Sequence, residues 1–142
     1  MNGGGDRMLK RVHHINFLVS DLEDAIQRYE SALGVEVSYR EQLPERGVKT
    51  ARFRIGETWI VLVCPTDPEC APGQHLARHG EGFFLLSFEV DDLSRAADSI
   101  RTAGGETSTS GPRQGLADWR VMDLDPDSFR GANLQLVETG EA

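Results

Sequence analysis

The chain has 142 residues, of which 39% are hydrophobic and 27% are charged, so it is long enough for one domain with a packed core. Its formal net charge of -8 disfavours nucleic-acid backbones and anionic membrane surfaces, because both would repel it. No apolar run approaches the roughly 20 residues of a membrane-spanning helix, and the first residues do not resemble a secretion signal. We therefore expect a cytoplasmic protein whose partner is a small molecule or another protein.

The first predicted elements are a strand and a helix. Residues 1–10 are glycine-rich and polar, which predicts a flexible tail. Residues 12–19 alternate in polarity, which predicts a strand with His14 and Asn16 on one face and Phe17 on the other. A helix follows this strand.

The helix and three further strands complete the first unit. The Ser20 or the Asp21 side chain can accept the free N–H groups at the start of the helix, Ser20 and Glu23 have capping-box spacing, and Gly34 ends the helix. Three strand-like segments separated by turn residues follow, at residues 35–41, 48–55 and 58–64. The first unit is therefore predicted to be βαβββ.

The second unit follows a linker and repeats this order. Residues 65–82 are predicted to be the linker, with a short helix at 74–78. The predicted elements after it are a strand at 83–90, a helix at 93–103, a short strand near Thr107, a strand at 119–124, a turn at 125–127 and a strand at 133–138.

The two units also match residue by residue. Sliding the first onto the second by 71 positions aligns identical residues: Phe17 with Phe88, Val19 with Val90, Asp21 with Asp92, Leu22 with Leu93, Ala25 with Ala96, Ala32 with Ala103, and Gly34 with Gly105. Neither copy can bury its sheet alone, because one face of its strands would stay open. We therefore predict a single domain at residues 11–138, made of two modules, about 11–64 and 83–138.

Polar residues on the strand faces that the helices leave uncovered are candidates for lining a cavity. By alternation these faces carry His14 and Asn16, then Trp59, Val61 and Val63, then Leu85, Ser87 and Glu89, and finally Asn133, Gln135 and Val137. Arg52 and Arg120 could bind a carboxylate or phosphate of the ligand, or could be solvated. Trp59 and Trp119 could stack on a flat ligand, or could pack between the sheets.

Three segments carry a resemblance to a known family. HINFLVSDLEDAIQRYESALG, FEVDDL and DPDSFRGANLQLVE resemble the vicinal oxygen chelate superfamily, which includes glyoxalases, extradiol dioxygenases, fosfomycin and bleomycin resistance proteins and methylmalonyl-CoA epimerases. Residues 44–48 and 74–82, and the spacing from Asp125 through Gly131 to Leu136, are most similar to the epimerases. The resemblance implies an α+β fold in which two βαβββ modules pair into a curved, cup-shaped sheet, and it implies a homodimer.

The resemblance also implies a divalent metal held by one residue from each of four strands, at His14, Val61, Leu85 and Gln135. Only His14 is a good donor, because Val61 and Leu85 have none and Gln135 offers one neutral amide oxygen where many relatives have glutamate. Two neutral donors would hold a divalent ion weakly, since no ligand charge compensates for its lost hydration. We therefore expect no tightly bound metal and no other cofactor, with His14 and Gln135 as weak candidate ligands.

A catalytic base is equally hard to assign. In the relatives the terminal glutamate can serve as a base, whereas Gln135 cannot accept a proton at neutral pH. Glu45 and Glu89 are possible substitutes, although both could be solvated surface carboxylates. His14 could be a residual ligand, a proton shuttle or a structural residue of the cavity wall. The catalytic residues therefore stay unknown.

Another histidine pair lies in the linker. His75 and His79 are four residues apart and would share a helix face, a spacing that can bind zinc. No third donor is evident nearby in the sequence. An exposed helix is therefore the preferred interpretation.

Two functions from different classes fit these residues. The first is a binding protein without a tightly bound metal, similar in design to bleomycin resistance proteins, that holds a small and partly aromatic compound. The second is an isomerase, epimerase or lyase of the glyoxalase or methylmalonyl-CoA epimerase type, with a divalent metal or an atypical base. Missing metal donors favour the first function, and the epimerase-like segments favour the second.

Overall fold

The computed structural model of the chain describes residues 7–108 and 112–140, so most of the predicted tail lies outside the described residues. The described part contains eight strands, three α-helices and two 3-10 helices, which confirms the predicted α+β class. None of the described helices is long and apolar enough to cross a bilayer. The chain divides into two compact units: a continuous unit, residues 14–84, and a split unit, which combines the residues up to His13 with those from Leu85 onward.

The continuous unit contains most of β1 and the elements that follow it as far as α2. These are β1 (Arg11–Leu18), α1 (Leu22–Leu33), β2 (Tyr39–Leu43), a 3-10 helix (Pro44–Arg46), β3 (Val48–Ile55), β4 (Thr58–Pro65) and α2 (Ala71–His79). Its strands are hydrogen-bonded in the order β2-β3-β4-β1, with β1 parallel to β4 and the other neighbours antiparallel.

The split unit repeats this pattern of hydrogen bonding. Its later elements are β5 (Gly82–Glu89), α3 (Leu93–Thr102), β6 (Arg113–Gln114), β7 (Arg120–Asp123), a 3-10 helix (Pro126–Phe129) and β8 (Leu134–Glu138). The strand order is β5-β8-β7-β6, with β5 parallel to β8 and the other neighbours antiparallel. In both units the first strand is parallel to the last one, as expected for two copies of one βαβββ module.

Several predicted boundaries shift. Strand β2 begins at Tyr39 rather than at residue 35, and α2 is longer than the predicted 74–78. Near Thr107 there is a single bridge to Leu124, while the short strand β6 lies further along the chain. The predicted turn at 125–127 is the start of a 3-10 helix.

The helices α1 and α3 begin at equivalent aspartates of the repeat. The Asp21 side chain accepts a hydrogen bond from the Asp24 N–H at 3.0 Å, and Asp92 accepts one from the Arg95 N–H at 3.1 Å. Of the two cap residues that the sequence allowed, the helix therefore uses Asp21 and not Ser20. Ser20 instead donates its N–H and its hydroxyl to Glu81, at 2.8 and 2.9 Å.

Each unit has its own apolar core beneath its helix. In the continuous unit, Leu22 and Ile26 of α1 belong to a buried cluster with Ala51 of β3 and Leu62 of β4. The corresponding cluster of the split unit contains Leu93, Ala96, Ala97 and Ile100 of α3 with Met122 and Leu136 of the strands. Because each helix covers one sheet face, polar side chains on the other face are available for function.

Candidate functional site

In the continuous unit, the candidate residues lie on the face of β1 and β4 that α1 does not cover. Phe17 of β1 contacts Tyr29 of α1, with ring centroids 6.5 Å apart, so alternation places His14 and Asn16 on the opposite face, as predicted. His14 is paired in register with Trp59, and Asn16 with Val61. His14, Trp59 and Val61 are buried, and the Asn16 Oδ1 atom has no hydrogen-bond partner among the described residues.

Arg52 of β3 is buried in this unit, which contradicts the solvated alternative for this residue. Its guanidinium carbon lies 4.6 Å from the Tyr39 ring centroid and 5.0 Å from that of Trp59, and the guanidinium group forms an ion pair with Glu41. Arg54 also lies over Trp59, at 5.1 Å. Trp59 is thus packed against two cationic side chains, and its role in stacking on a ligand stays a prediction.

In the split unit, the candidate residues lie on neighbouring strands. Ser87 of β5 is paired in register with Gln135 of β8, so the two side chains leave the same face of the sheet. Ser87, Gln135 and Leu85 are all buried, and Asn133 is half-buried just before β8. The Ser87 Oγ atom and the Gln135 Oε1 atom have no hydrogen-bond partner among the described residues.

Gln135 is connected to two residues that sequence reasoning missed. Its Nε2 atom donates to Asp123 Oδ1 at 3.0 Å, and Arg113 donates to Asp123 Oδ2 from Nη2 at 2.7 Å and from Nε at 3.2 Å. We refer to Ser87, Gln135, Asp123 and Arg113 as the polar array. The available signal was a carboxylate inside the predicted strand 119–124, because a charge at a partly buried sheet position is costly unless it is paired.

The remaining candidates of the split unit lie near β7. Trp119 is 1% exposed, and its ring packs edge-on against the buried His13 ring with centroids 4.7 Å apart. This contact corresponds to the packing alternative, and a ligand-binding role for Trp119 stays a prediction. Arg120 is exposed at the start of β7.

The two carboxylates that were considered as substitute bases differ in environment. Glu89 forms an ion pair with Arg11, and each side chain is only 15% exposed, so Glu89 is not a solvated surface carboxylate. Glu45 is exposed in the first 3-10 helix.

The two histidines of α2 lie against one another. Their ring centroids are 4.5 Å apart, and the half-buried His75 ring also packs against Phe84 at 4.8 Å. Burial, and then the nearby His79, lower the pKa of His75 below its ordinary value. Across residues 7–108 and 112–140, no group of three His, Cys, Asp or Glu side chains is arranged to hold a metal ion.

Comparison with known proteins places this geometry in a family. The sequence profile of the Glyoxalase/Bleomycin resistance protein/Dioxygenase superfamily matches residues 13–122. The chain belongs to this superfamily. That assignment confirms the resemblance found in the sequence.

The most similar relatives found include epimerases. The superfamily member is 30% identical over 133 residues to the ethylmalonyl-CoA/methylmalonyl-CoA epimerase of Cereibacter sphaeroides, covering 92% of this chain and 99% of that protein. A methylmalonyl-CoA epimerase in complex with methylmalonyl-CoA and NH4+ superposes with a TM-score of 0.88 at 30% identity, covering 93% and 96% of the two chains. A hypothetical protein from Bacillus halodurans gives a TM-score of 0.89 at 26% identity, with the same coverage.

The side chains at the four metal-ligand positions that the superfamily resemblance implies do not fit a tightly held divalent ion. Val61 and Leu85 are hydrocarbon side chains, only 1% and 5% exposed, and offer no donor atom. Gln135 uses its amide nitrogen on Asp123, which leaves one neutral oxygen. His14 is buried and supplies the single good donor type of the set.

Proposed function

We propose that this superfamily member binds a small organic molecule through the polar sheet faces that its helices leave uncovered, without a tightly bound metal ion. The observation that carries the proposal is a pair of buried oxygen atoms in the split unit, Ser87 Oγ and Gln135 Oε1, with no hydrogen-bond partner among the described residues. In the continuous unit, Asn16 Oδ1 also has none among the described residues. A buried polar atom left unpaired costs about 1–3 kcal/mol, and a ligand that supplies the missing partners would recover this free energy. Sequestration without chemical change, as in bleomycin resistance proteins, is the mode proposed here.

Metal titration tests the metal-free part of this proposal. Protein purified without chelator is analysed for bound metal and then titrated with nickel, cobalt, manganese and zinc. We expect substoichiometric metal after purification and only weak binding in the titrations. Tight stoichiometric binding that is lost on His14→Ala would contradict the proposal.

A second function is favoured by one specific observation. The epimerase of Cereibacter sphaeroides is matched over almost its whole length, so epimerisation of an acyl-CoA thioester is the alternative. Such a reaction needs a base and an electrophile next to the carbon that loses its proton. Gln135 cannot be that base, because an amide does not accept a proton at neutral pH.

Deuterium exchange separates the two functions. The protein is incubated with methylmalonyl-CoA in deuterated water, with and without cobalt, and the α-proton of the acyl group is followed by NMR. The binding proposal predicts no exchange above the rate without protein. Enzyme-dependent exchange would establish the epimerase alternative. Thermal-shift screening with aromatic antibiotics and acyl thioesters then identifies the ligand class.

The oligomeric state is a further part of the proposal. The resemblance to this superfamily supports a homodimer. A second reason is that unpaired sheet edges favour association. Size-exclusion chromatography with light scattering should give twice the 15.7 kDa mass of one chain. A monomeric mass at micromolar concentrations would contradict this part.

A further inference from the structure

Two buried oxygen atoms of the polar array lie on adjacent strands and require a partner. Ser87 and Gln135 are 0% and 4% exposed, and they are paired directly across the parallel strands β5 and β8. Neither Ser87 Oγ nor Gln135 Oε1 has a hydrogen-bond partner among the described residues. Because unpaired polar atoms are rare in folded proteins, a pair of them on one face indicates a place for a ligand group.

The orientation of the Gln135 amide is fixed by its neighbour. Asp123 is a carboxylate, which can only accept hydrogen bonds, so Gln135 must turn its NH2 group toward Asp123 and its oxygen away. Arg113 holds the other oxygen of Asp123 with two N–H donors. Rotation of the Gln135 amide would place two acceptors against one another. The free atom of Gln135 is therefore a fixed acceptor.

The charge of the polar array selects the kind of group that fits. Arg113 offsets the charge of Asp123, and Ser87 and Gln135 are neutral, so a cation finds no unpaired negative charge in the array. An anion or a carbonyl group would meet the Gln135 oxygen with another acceptor. A hydroxyl group satisfies both atoms, because it donates to Gln135 Oε1 and accepts from the Ser87 hydroxyl.

We propose that Ser87 and Gln135 form a subsite for an uncharged hydrogen-bond donor of the ligand, best a hydroxyl group, and that Asp123 and Arg113 are positioning residues. This inference rests on the proposed small-molecule binding and specifies its ligand chemistry. A hydrogen bond that must be made in a buried site discriminates by about tenfold between a donor and a matched acceptor. The subsite is therefore testable with fragments.

Three probes share a three-carbon skeleton and differ only in the polar group: 2-propanol, acetone and isopropylammonium. Acetate, in which a second oxygen replaces one methyl group, is the anionic probe of similar size. Each is titrated into the isotope-labelled full chain while the Ser87 backbone amide and the Gln135 side-chain amide are followed by NMR. We expect saturable shifts of both signals with 2-propanol and about tenfold weaker binding of the other three probes. Equal binding of acetone, or no saturable shift with 2-propanol, would overturn the subsite.

Substitutions locate the effect. Ser87→Ala and Gln135→Met remove one polar partner each with little change of volume, so each should weaken 2-propanol binding severalfold and reduce its advantage over acetone. Asp98→Leu removes an exposed carboxylate of α3 and is the control for the variant Asp123→Leu, which loses the carboxylate beside Gln135. Selectivity that survives both Ser87→Ala and Gln135→Met would place the fragment elsewhere and overturn the inference.

The positioning role has its own readout. Asp123→Leu removes the acceptor that holds the Gln135 amide. The ratio of 2-propanol affinity to acetone affinity should therefore fall toward one, while the backbone NMR spectrum is retained. If this variant does not fold, hydrogen exchange of the Gln135 side-chain amide in the unmodified chain decides. We expect that exchange to be at least tenfold slower than for the exposed Gln27 and Gln42. Equal exchange rates, or unchanged selectivity in Asp123→Leu, would remove Asp123 as a positioning residue.

The outcomes for the subsite and for the proposed function are separable. A ligand that binds without metal and unchanged, but shifts no signal of the polar array, leaves the proposed function standing and overturns the subsite. Turnover of methylmalonyl-CoA together with a 2-propanol preference at Ser87 and Gln135 would overturn the proposed function and leave the subsite standing.

Discussion

Gln135 shows how one atom changes what a strand position does. The amide nitrogen donates to Asp123, which a glutamate in the same place could not do at neutral pH. The neutral side chain therefore ties β8 to β7 through a hydrogen bond. The same exchange of oxygen for nitrogen removes the negative charge that a divalent metal ion would need.

Gln135→Glu should make stability depend on pH. The new carboxyl would lie beside Asp123, and the repulsion would raise the pKa of one of the two above the value of about 4.3 for an unfolded glutamate. The folded state then binds more protons than the unfolded state, so the free energy of unfolding falls as pH rises from about 4.5 to 7.

Urea denaturation of Gln135→Glu at several pH values measures this change. We expect a loss of about 2 kcal/mol at pH 7 relative to the unmodified chain, and a smaller loss at pH 4.5. Gln135→Met is the control, because it lacks the new charge. A loss that is equal at both pH values would contradict the contact between Gln135 and Asp123.

The faces of the candidate residues could be predicted from the sequence, but their partners could not. Alternation along a strand gives the side on which His14 or Ser87 lies, since it depends only on local geometry. The packing of Arg52 on the Tyr39 and Trp59 rings depends on register across three strands, and the sequence alone does not supply that register. The connection from Gln135 to Asp123 and Arg113 was missed for the same reason.

At the scale of elements, the repeat is visible in the helix starts. Asp21 and Asp92 accept equivalent hydrogen bonds at the first turns of α1 and α3. Both aspartates were aligned by the sequence repeat, whereas the capping box at Ser20 was a local pattern. The repeat is the stronger signal, because two copies must satisfy the same backbone groups.

Asp21→Ala should destabilise the chain by about 1 kcal/mol, because the Asp24 N–H loses its side-chain acceptor. Ser20→Ala, at the neighbouring residue, is the matched control. It removes only the exposed hydroxyl bond to Glu81 and should cost less than about 0.5 kcal/mol. Urea denaturation of both variants gives the comparison. A larger loss for Ser20→Ala would restore Ser20 as the cap.

The histidine pair of α2 gives a prediction about protonation. His79→Gln removes the positive charge that contributes to the lowered pKa of His75, so that pKa should rise toward 6.5 while burial keeps it below this value. NMR titration of the His75 ring measures the shift. Arg78→Gln removes an adjacent positive charge as a control and should leave the His75 pKa nearly unchanged. Equal shifts in both variants would contradict a specific contact.

The lowered pKa of His75 also makes the free energy of unfolding depend on pH. Folded His75 binds a proton less readily than unfolded His75. Its contribution to the free energy of unfolding is therefore fully present above about pH 6.5 and is lost as pH falls through the folded pKa. His79→Gln should therefore reduce the loss of stability on the acid side.

At the scale of the whole molecule, the two units of the structure do not coincide with the two modules of the sequence. The alignment predicts modules at 11–64 and 83–138, whereas the split unit begins with the residues up to His13 and resumes at Leu85. Lys10 donates its N–H to the Glu89 carbonyl at 2.8 Å and forms an ion pair with Asp91. The first residues of β1 therefore belong with the second half of the chain.

Fragment complementation tests this division. Residues 85–142 alone lack His13 and the ion pairs of Lys10 and Arg11, so we expect this fragment to be unfolded. Labelled with fluorotryptophan, it reports on Trp119 by fluorine NMR. Fragment 1–84 should restore the buried signal of Trp119, whereas fragment 14–84, which lacks the opening residues, should not. Restoration by both fragments would contradict the split unit.

The split unit has a consequence for synthesis on the ribosome. Residues up to His13 are synthesised before the segments they bond to, which follow residue 84. The continuous unit is available for folding in the meantime. Lys10, Arg11 and His13 can therefore make their contacts only after Glu89, Asp91 and Trp119 have been synthesised.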